Sequence, residues 1–173
     1  MKDALSIHRL LLERQMTHEI VRLPRHIGSA DDLPEVLGLP PSRCLCTRVY
    51  LPYEPGRLYT AHHPLVAVIV TAGTRPAPSA VADALGVPEI RPAPVDLVNE
   101  VTDYAADLVA PLLLPAEVTT LVDQRAAHGD EVVYTTTGEP WTALGIHTLD
   151  LFALCDAKPT PIPCTHAHEG PES

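Results

Sequence analysis

Cys46 and Arg48, two positions apart in CLCTRVYL (Cys44 to Leu51), are the residues of this chain with the clearest capacity for covalent chemistry. On an extended strand alternate side chains share a face, so Cys44, Cys46, Arg48 and Tyr50 line one side and Leu45, Thr47, Val49 and Leu51 the other. A guanidinium beside a thiol lowers its pKa, which would activate Cys46 as a nucleophile, although no histidine can be paired with it from the sequence. Soft-metal binding is a second chemistry, with Cys164, His166 and His168 as distant partners for Cys44 and Cys46. A CxC on one strand matches no familiar zinc spacing, so we expect no metal, and no cofactor either. His62 and His63 read as part of an exposed connection, and Asp31 and Asp32 as helix-start charges favoured by the dipole. No GxGxxG, P-loop, HExxH or GxSxG is present, so nucleotide-binding, zincin and α/β-hydrolase chemistry lack their usual handles.

The elements that must hold these residues can be read along the chain. Asp3 stands as an N-cap before Leu5, His8, Leu11 and Leu12, a short amphipathic helix. A strand follows at His18 to Val21. Asp32 and Glu35 have capping-box spacing before a one- to two-turn helix that ends at Gly38. After the Cys44–Leu51 strand, residues 52 to 64 read as a connection. LVAVIVT (Leu65 to Thr71) is then a central strand buried on both faces. Ser79 opens a helix to Leu85, closed by Gly86. Strands are expected at Val118–Asp123, Glu131–Thr136 and Ala143–Ile146, and a last helix at Thr148 to about Cys155. PTPIPCTHAHEGPES is proline-rich and reads as a mobile tail, so we divide the chain into one domain over residues 1–158 and a tail over 159–173. Helices too few and too short for regular βαβ repetition make the class mixed α/β.

Composition limits the possible partners. The 173 residues fit one domain, only seven are aromatic, and the net charge is −10. An extended nucleic-acid surface built on many phosphate contacts is thereby opposed, while local contact with RNA remains open. Few rings are available for base stacking. No run approaches a membrane span and the N-terminal apolar run carries charges, so a cytoplasmic protein is expected. The basic residues are ten Arg and two Lys, namely Lys2 and Lys158.

At LGLPPSRCLCTRV (Leu37 to Val49) the sequence resembles the YbaK/ProRS-associated family of aminoacyl-tRNA deacylases, the free-standing editing domains. Leu37, Gly38 and Thr47 match the family pattern of leucine-glycine helix end, proline turn and lysine-threonine strand, with Cys46 at the lysine position. The likeness continues through Leu65–Thr71 and SAVADALGV (Ser79 to Val87). In LVNEVTDYAADLVAP, Thr102, Tyr104 and Pro111 fall in register with a family segment of Thr-Gly-Tyr, a glycine pair and a proline. Asp123, Gly138, Asp150 and Leu151 also correspond. The resemblance spans roughly residues 4 to 158 and implies a mixed-strand, barrel-like α/β domain. The implied activity is hydrolysis of the ester joining a wrong amino acid to tRNA.

On that resemblance Cys46, Arg48 and Thr102 are the expected catalytic residues, and Thr47, Asp103, Tyr104, Asp107, Pro111, Asp123 and Gly138 the expected substrate-binding ones. Arg48 would hold a phosphate or ribose. The implied partners are the 3′ end of an aminoacyl-tRNA and an aminoacyl-tRNA synthetase. The departures from the pattern concern the chemistry: the lysine is Cys46, and the three glycines become Asp103, Asp107 and Leu108. A carboxylate about 6 Å from a forming oxyanion, at an effective dielectric near 20, would oppose it by roughly 3 kcal/mol. The spacing of Leu97, Val101, Tyr104 and Leu108 predicts that the glycine loop has become largely helical here, turning both aspartates to solvent. Three readings follow: a trans-acting deacylase, a catalytically silent binding or regulatory module on the same fold, and a cysteine hydrolase using Cys46.

Overall fold

The computed structural model describes residues 1–56 and 64–166. His62, His63 and His168 lie outside the described residues. In chain order the elements are α1 (Ala4–Glu13), β1 (His18–Arg22), α2 (Leu33–Leu37), β2 (Leu45–Tyr53), β3 (Val66–Thr71), β4 (Thr74–Pro76), α3 (Pro78–Leu85) and β5 (Glu89–Pro92). They continue as α4 (Val95–Thr102), β6 (Thr119–Asp123), β7 (Val132–Thr136), β8 (Thr142–His147), α5 (Thr148–Cys155), β9 (Lys158–Thr160) and β10 (Cys164–His166). The mixed α/β class is as expected.

β3 is the centre of a five-stranded sheet of order β5-β2-β3-β6-β9. Its apolar run is buried from Val66 to Val70, because residues of both faces meet packed side chains. On one face Val68 and Val70 join Cys46, Tyr50, Leu33, Val81 and Leu108. On the other Ile69 joins Leu45, Ile7, Leu11, Tyr104, Leu144 and Leu151. A three-stranded antiparallel sheet, β1-β8-β7, meets β2 at the single bridge Cys44–Tyr134. There the Thr135 hydroxyl donates to the Leu45 carbonyl at 3.1 Å, and Arg43 Nε donates to Val132 O at 2.6 Å.

Beyond that bridge the strands do not close into a barrel among the described residues. β5 pairs with β2 only over Tyr50–Tyr53. Ala93 N–H still reaches Val49 O at 3.0 Å, and Pro94, which has no N–H to continue the ladder, begins α4. Between the departure of β5 and the bridge to β7, the edge of β2 around Cys46–Arg48 has no neighbouring strand among the described residues.

Three expectations are corrected. The predicted helix through residue 108 stops at Thr102, because Asp103 takes a left-handed conformation (φ +59°) and caps α4 through its N–H to Asn99 O. A separate 3-10 turn, Ala106–Leu108, then buries Leu108. The capping box is made by Ser29 and Asp32, not by Asp32 and Glu35. The tail predicted from 159 is folded over its described residues, 159–166: β9 lies parallel to β6, β10 pairs with β4, and Ile162 is buried in the core. Prolines are tolerated there because edge strands offer only one side of their backbone to the ladder.

Candidate functional site

The unpaired stretch of β2 opens onto a cavity of about 220 Å³ lined by Cys46, Thr47, Arg48, Val49 and Tyr50. Five consecutive strand residues can line one cavity only if it lies along the strand edge, since side chains alone would alternate away from it. Pro92, Ala93, Val95 and Val98 at the β5–α4 junction form one wall, Ala106 and Asp107 another, and Ser29, Asp31 and Arg75 the rest.

The register shows which backbone groups face this gap. Ala72 N–H donates to Cys44 O at 2.9 Å, and the pairing Leu45↔Thr71 through Tyr50↔Val66 then points the backbone groups of Cys46, Arg48 and Tyr50 at β3. Leu45, Thr47 and Val49 point theirs the opposite way. The Leu45 carbonyl is taken by Thr135 and that of Val49 by Ala93. Thr47 sits between them with no strand opposite. Its Oγ1 is also buried without a hydrogen-bond partner among the described residues. An unsatisfied buried hydroxyl is unfavourable, and rotation of the Thr47 side chain toward the cavity would let a ligand supply the missing partner.

Arg48 does not serve the role expected of it. Its side chain is only 11% exposed; Nη2 contacts Asp31 Oδ1 at 2.8 Å, and Nε and Nη2 both donate to Thr74 O, at 2.8 and 2.6 Å. Asp31 Oδ1 also accepts the Gly73 N–H at 2.7 Å. The guanidinium is thus part of the wall, with its Nε and Nη2 donors committed. Asp31 and Asp32 both stand in the first turn of the 3-10 helix Ala30–Asp32, as read from the sequence; Asp31 is in addition the counter-ion of Arg48, while Asp32 does the capping. Arg75 lines the same cavity, is exposed, and forms no ion pair among the described residues. Nothing around Arg75 in the sequence singles it out, since its position depends on β4 pairing with the distant β10.

The Cys46 thiol is pushed up to about 12, by burial, which outweighs the lowering effect of Arg48 and Arg75. The expected activation by Arg48 therefore fails: desolvation of a thiolate costs more than a guanidinium already shared with Asp31 returns. We expect native Cys46 to alkylate on the order of a thousandfold more slowly at pH 8 than an ordinary thiol, as peptide mass spectrometry would read. Fast one-to-one labelling that abolishes activity would reinstate the cysteine-hydrolase reading. The sign of the pH effect follows. Because the folded-state pKa exceeds the ordinary value of 9.0, this group's contribution to stability is complete below about pH 9 and is lost as pH rises toward 12.

The other expected site residues lie away from this cavity. Thr102 is fully buried, its hydroxyl donating to Val98 O at 2.7 Å and accepting from Tyr104 N–H at 3.2 Å, so it closes α4. Tyr104 is buried too, and its hydroxyl donates to Leu112 O at 2.7 Å. Asp103 points outward and pairs with the chain N-terminus at 3.4 Å. Gly138 (φ +95°) packs so closely that a Cβ there would lie 2.5 Å from Lys2 O and 2.8 Å from the Tyr104 ring, which requires glycine. Pro111 borders a different cavity, near Leu10, Leu154 and Lys158. Asp123 is buried in an ion pair with Arg125 at 3.0 Å. Neither lysine of the chain lines the β2 cavity. Lys2 instead donates to Thr102 O and Leu113 O at 2.7 and 2.5 Å, strapping the segment after α4.

Of the expected residues, Cys46, Thr47, Arg48 and Asp107 are brought together. Ser29, Asp31 and Arg75 were missed. Among the described residues no group of three or more His, Cys, Asp or Glu is placed to hold a metal ion, and no helix is long and apolar enough to cross a membrane.

Comparison with known proteins places this geometry in context. A family model described as an aminoacyl-tRNA editing domain matches residues 25–154. No curated protein sequence matches the chain. Among solved structures, a hypothetical protein is similar at 19% identity and TM-score 0.76, covering 92% of this chain and 99% of its own. A protein described as a candidate trans-editing enzyme for prolyl tRNA synthetase is similar at 19% identity and TM-score 0.72, covering 90% and 93%. A described signal transduction protein from Marinobacter aquaeolei contains the same fold in a longer chain, at 15% identity and TM-score 0.56, covering 89% of this chain and 30% of its own.

Proposed function

The chain belongs to the aminoacyl-tRNA editing domain family, and on that premise we propose that it is a trans-acting deacylase, hydrolysing the ester between a wrong amino acid and the 3′ end of tRNA. The observation that carries this is Thr47, whose hydroxyl is unpartnered and whose backbone faces the gap beside the cavity. Ester hydrolysis needs donors aimed at the carbonyl oxygen, where negative charge develops, and Thr47 supplies them on a rigid strand. The cavity is small, which suits a small amino acid side chain.

An aminoacyl ester carries a free α-ammonium group. Asp107, on the cavity wall with no ion pair among the described residues, is the carboxylate to receive it. Because Asp107 is exposed, solvent screens it, and its opposition to the oxyanion falls well below the roughly 3 kcal/mol that applies at an effective dielectric near 20. Arg75 offers a cation to the terminal ribose-phosphate, the role first expected of Arg48. Water adds to the carbonyl carbon, the carbon–oxygen bond to the tRNA breaks, and free amino acid and a 3′-hydroxyl leave. Cys46 remains a neutral thiol in the wall. No side chain here is an evident general base, so positioning supplies much of the rate. A synthetase would act as the source of the mischarged tRNA.

One observation favours the silent-module reading: the family lysine is a buried, protonated Cys46, and the cation nearest in sequence is neutralised by Asp31. A deacylation assay over correctly and wrongly charged tRNAs decides between the two. We expect the natural protein to discharge at least one mischarged tRNA, and Asp107→Asn to raise KM several-fold with kcat little lowered. Binding without discharge in the natural protein, with discharge appearing only in Cys46→Lys, would overturn the deacylase in favour of the module.

A further inference from the structure

The sole tryptophan of the chain, Trp141, stands 45% exposed between β7 and β8. Its ring lies 5.5 Å from that of His26, tilted by 43°. With Arg22, Ile20 and Thr142 these two rings line a third, open cavity of about 400 Å³. Arg22 is exposed and forms no ion pair among the described residues. The backbone brings the two segments together: Trp141 O accepts from Leu23 N–H and Pro140 O from Ile27 N–H, both at 2.8 Å. A large, half-exposed aromatic face next to a guanidinium with no ion pair among the described residues can recognise a flat ring attached to an anion, which is the chemistry of a nucleotide.

We propose that Trp141 and His26, with Arg22, form a stacking subsite for a base in the unpaired 3′ strand of the tRNA whose aminoacyl end enters the β2 cavity. The choice of tRNA as ligand rests on the deacylase reading. The placement supports it independently. His26 lies on the platform and Ser29, three residues on, lines the β2 cavity, so the Cα atoms of these two wall residues are at most about 11 Å apart. Stacked bases in a strand are spaced by about 3.4 Å, so that distance corresponds to roughly three nucleotides. A strand ending in the cavity would pass the platform a few nucleotides before its end. The overall charge of −10 does not oppose this contact, because a stack on one ring with one cation requires no broad basic face.

Being alone, Trp141 reports directly. Titration with the trinucleotide CCA should quench its fluorescence saturably. By anisotropy with a labelled CCA-ended strand, Trp141→Ala should weaken binding roughly 5- to 100-fold, with Trp141→Phe recovering most of it. Arg22→Ala, a change at an exposed position, should weaken it several-fold. Absence of quenching, or equal affinity in Trp141→Ala and the natural protein, would overturn the subsite. Discharge of mischarged tRNA is measured separately. CCA binding through Trp141 without any discharge would leave the subsite standing and the deacylase reading defeated. Discharge with the same kcat/KM in Trp141→Ala would do the reverse.

Discussion

Valine in place of Thr47 is expected to make the protein more stable and, as a deacylase, about a hundredfold slower. The two effects have one cause. Thr47 Oγ1 is buried with no partner among the described residues, so folding strips it of water without return, and an apolar group of the same shape should stabilise by about 1 kcal/mol. On the proposed deacylase reading, the same hydroxyl, turned toward the cavity by rotation of its side chain, would donate to the ester carbonyl. Removing one such donor costs on the order of a hundredfold to a thousandfold in kcat. Thr47→Ser, which keeps the hydroxyl, should keep most of the activity. Denaturant melts and steady-state deacylation on the three proteins test this. A residue of purely structural importance would lose stability and activity together, so unchanged activity in Thr47→Val would remove Thr47 from the site.

Removal of Asp31 is the second large effect, and it acts on stability. Arg48 and Asp31 are 11% and 21% exposed, and their contact is 2.8 Å. Asp31→Ala leaves a nearly buried guanidinium and the Gly73 N–H without their shared acceptor, although the two bonds to Thr74 O survive. Breaking one side of a buried ion pair costs about 3–5 kcal/mol, and with some water access the lower figure, about 3 kcal/mol, applies. The double variant Asp31→Ala/Arg48→Met should recover most of that loss, because no unpaired charge is then left inside. The readout is the urea midpoint at constant slope. A single variant within about 0.5 kcal/mol of the natural protein would mean that Arg48 reaches solvent and is not the fixed wall described above.

These expectations show where sequence reasoning reached and where it stopped. β3 was legible because an unbroken apolar, β-branched run has one good environment, the middle of a sheet with both faces covered. α5 was legible as Thr148–Cys155, and the helix ends at Gly38 and Gly86 because glycine enters the left-handed region without strain. The facing of β2 was legible because the period of a strand is two: Cys46 and Tyr50 fall in one core and Leu45 in the other. The strands after residue 158 were not. A short proline-rich edge strand has no periodicity of its own and is selected by the edge that receives it.

The site divides the same way. Local pattern and family resemblance together brought out Cys46, Thr47, Arg48 and Asp107. They could not exclude Thr102, since its buried hydroxyl is committed to α4 by a helix end that only Asp103's left-handed turn creates. Nor could they pair Arg48 with Asp31 or bring Arg75 to the same wall, because those meetings depend on contacts between elements far apart in the chain.

By itself, then, the sequence determined the class of fold, which is written in local periodicity, and its resemblance to the editing family pointed to the strand that carries the candidate site and to Cys46 in place of the lysine. Only the tertiary structure decided which groups remain chemically available. Availability depends on burial and on partners: the same packing that keeps the Cys46 thiol neutral and commits Arg48 to Asp31 leaves the Thr47 hydroxyl unpartnered, and none of those three outcomes is a property of the residue alone.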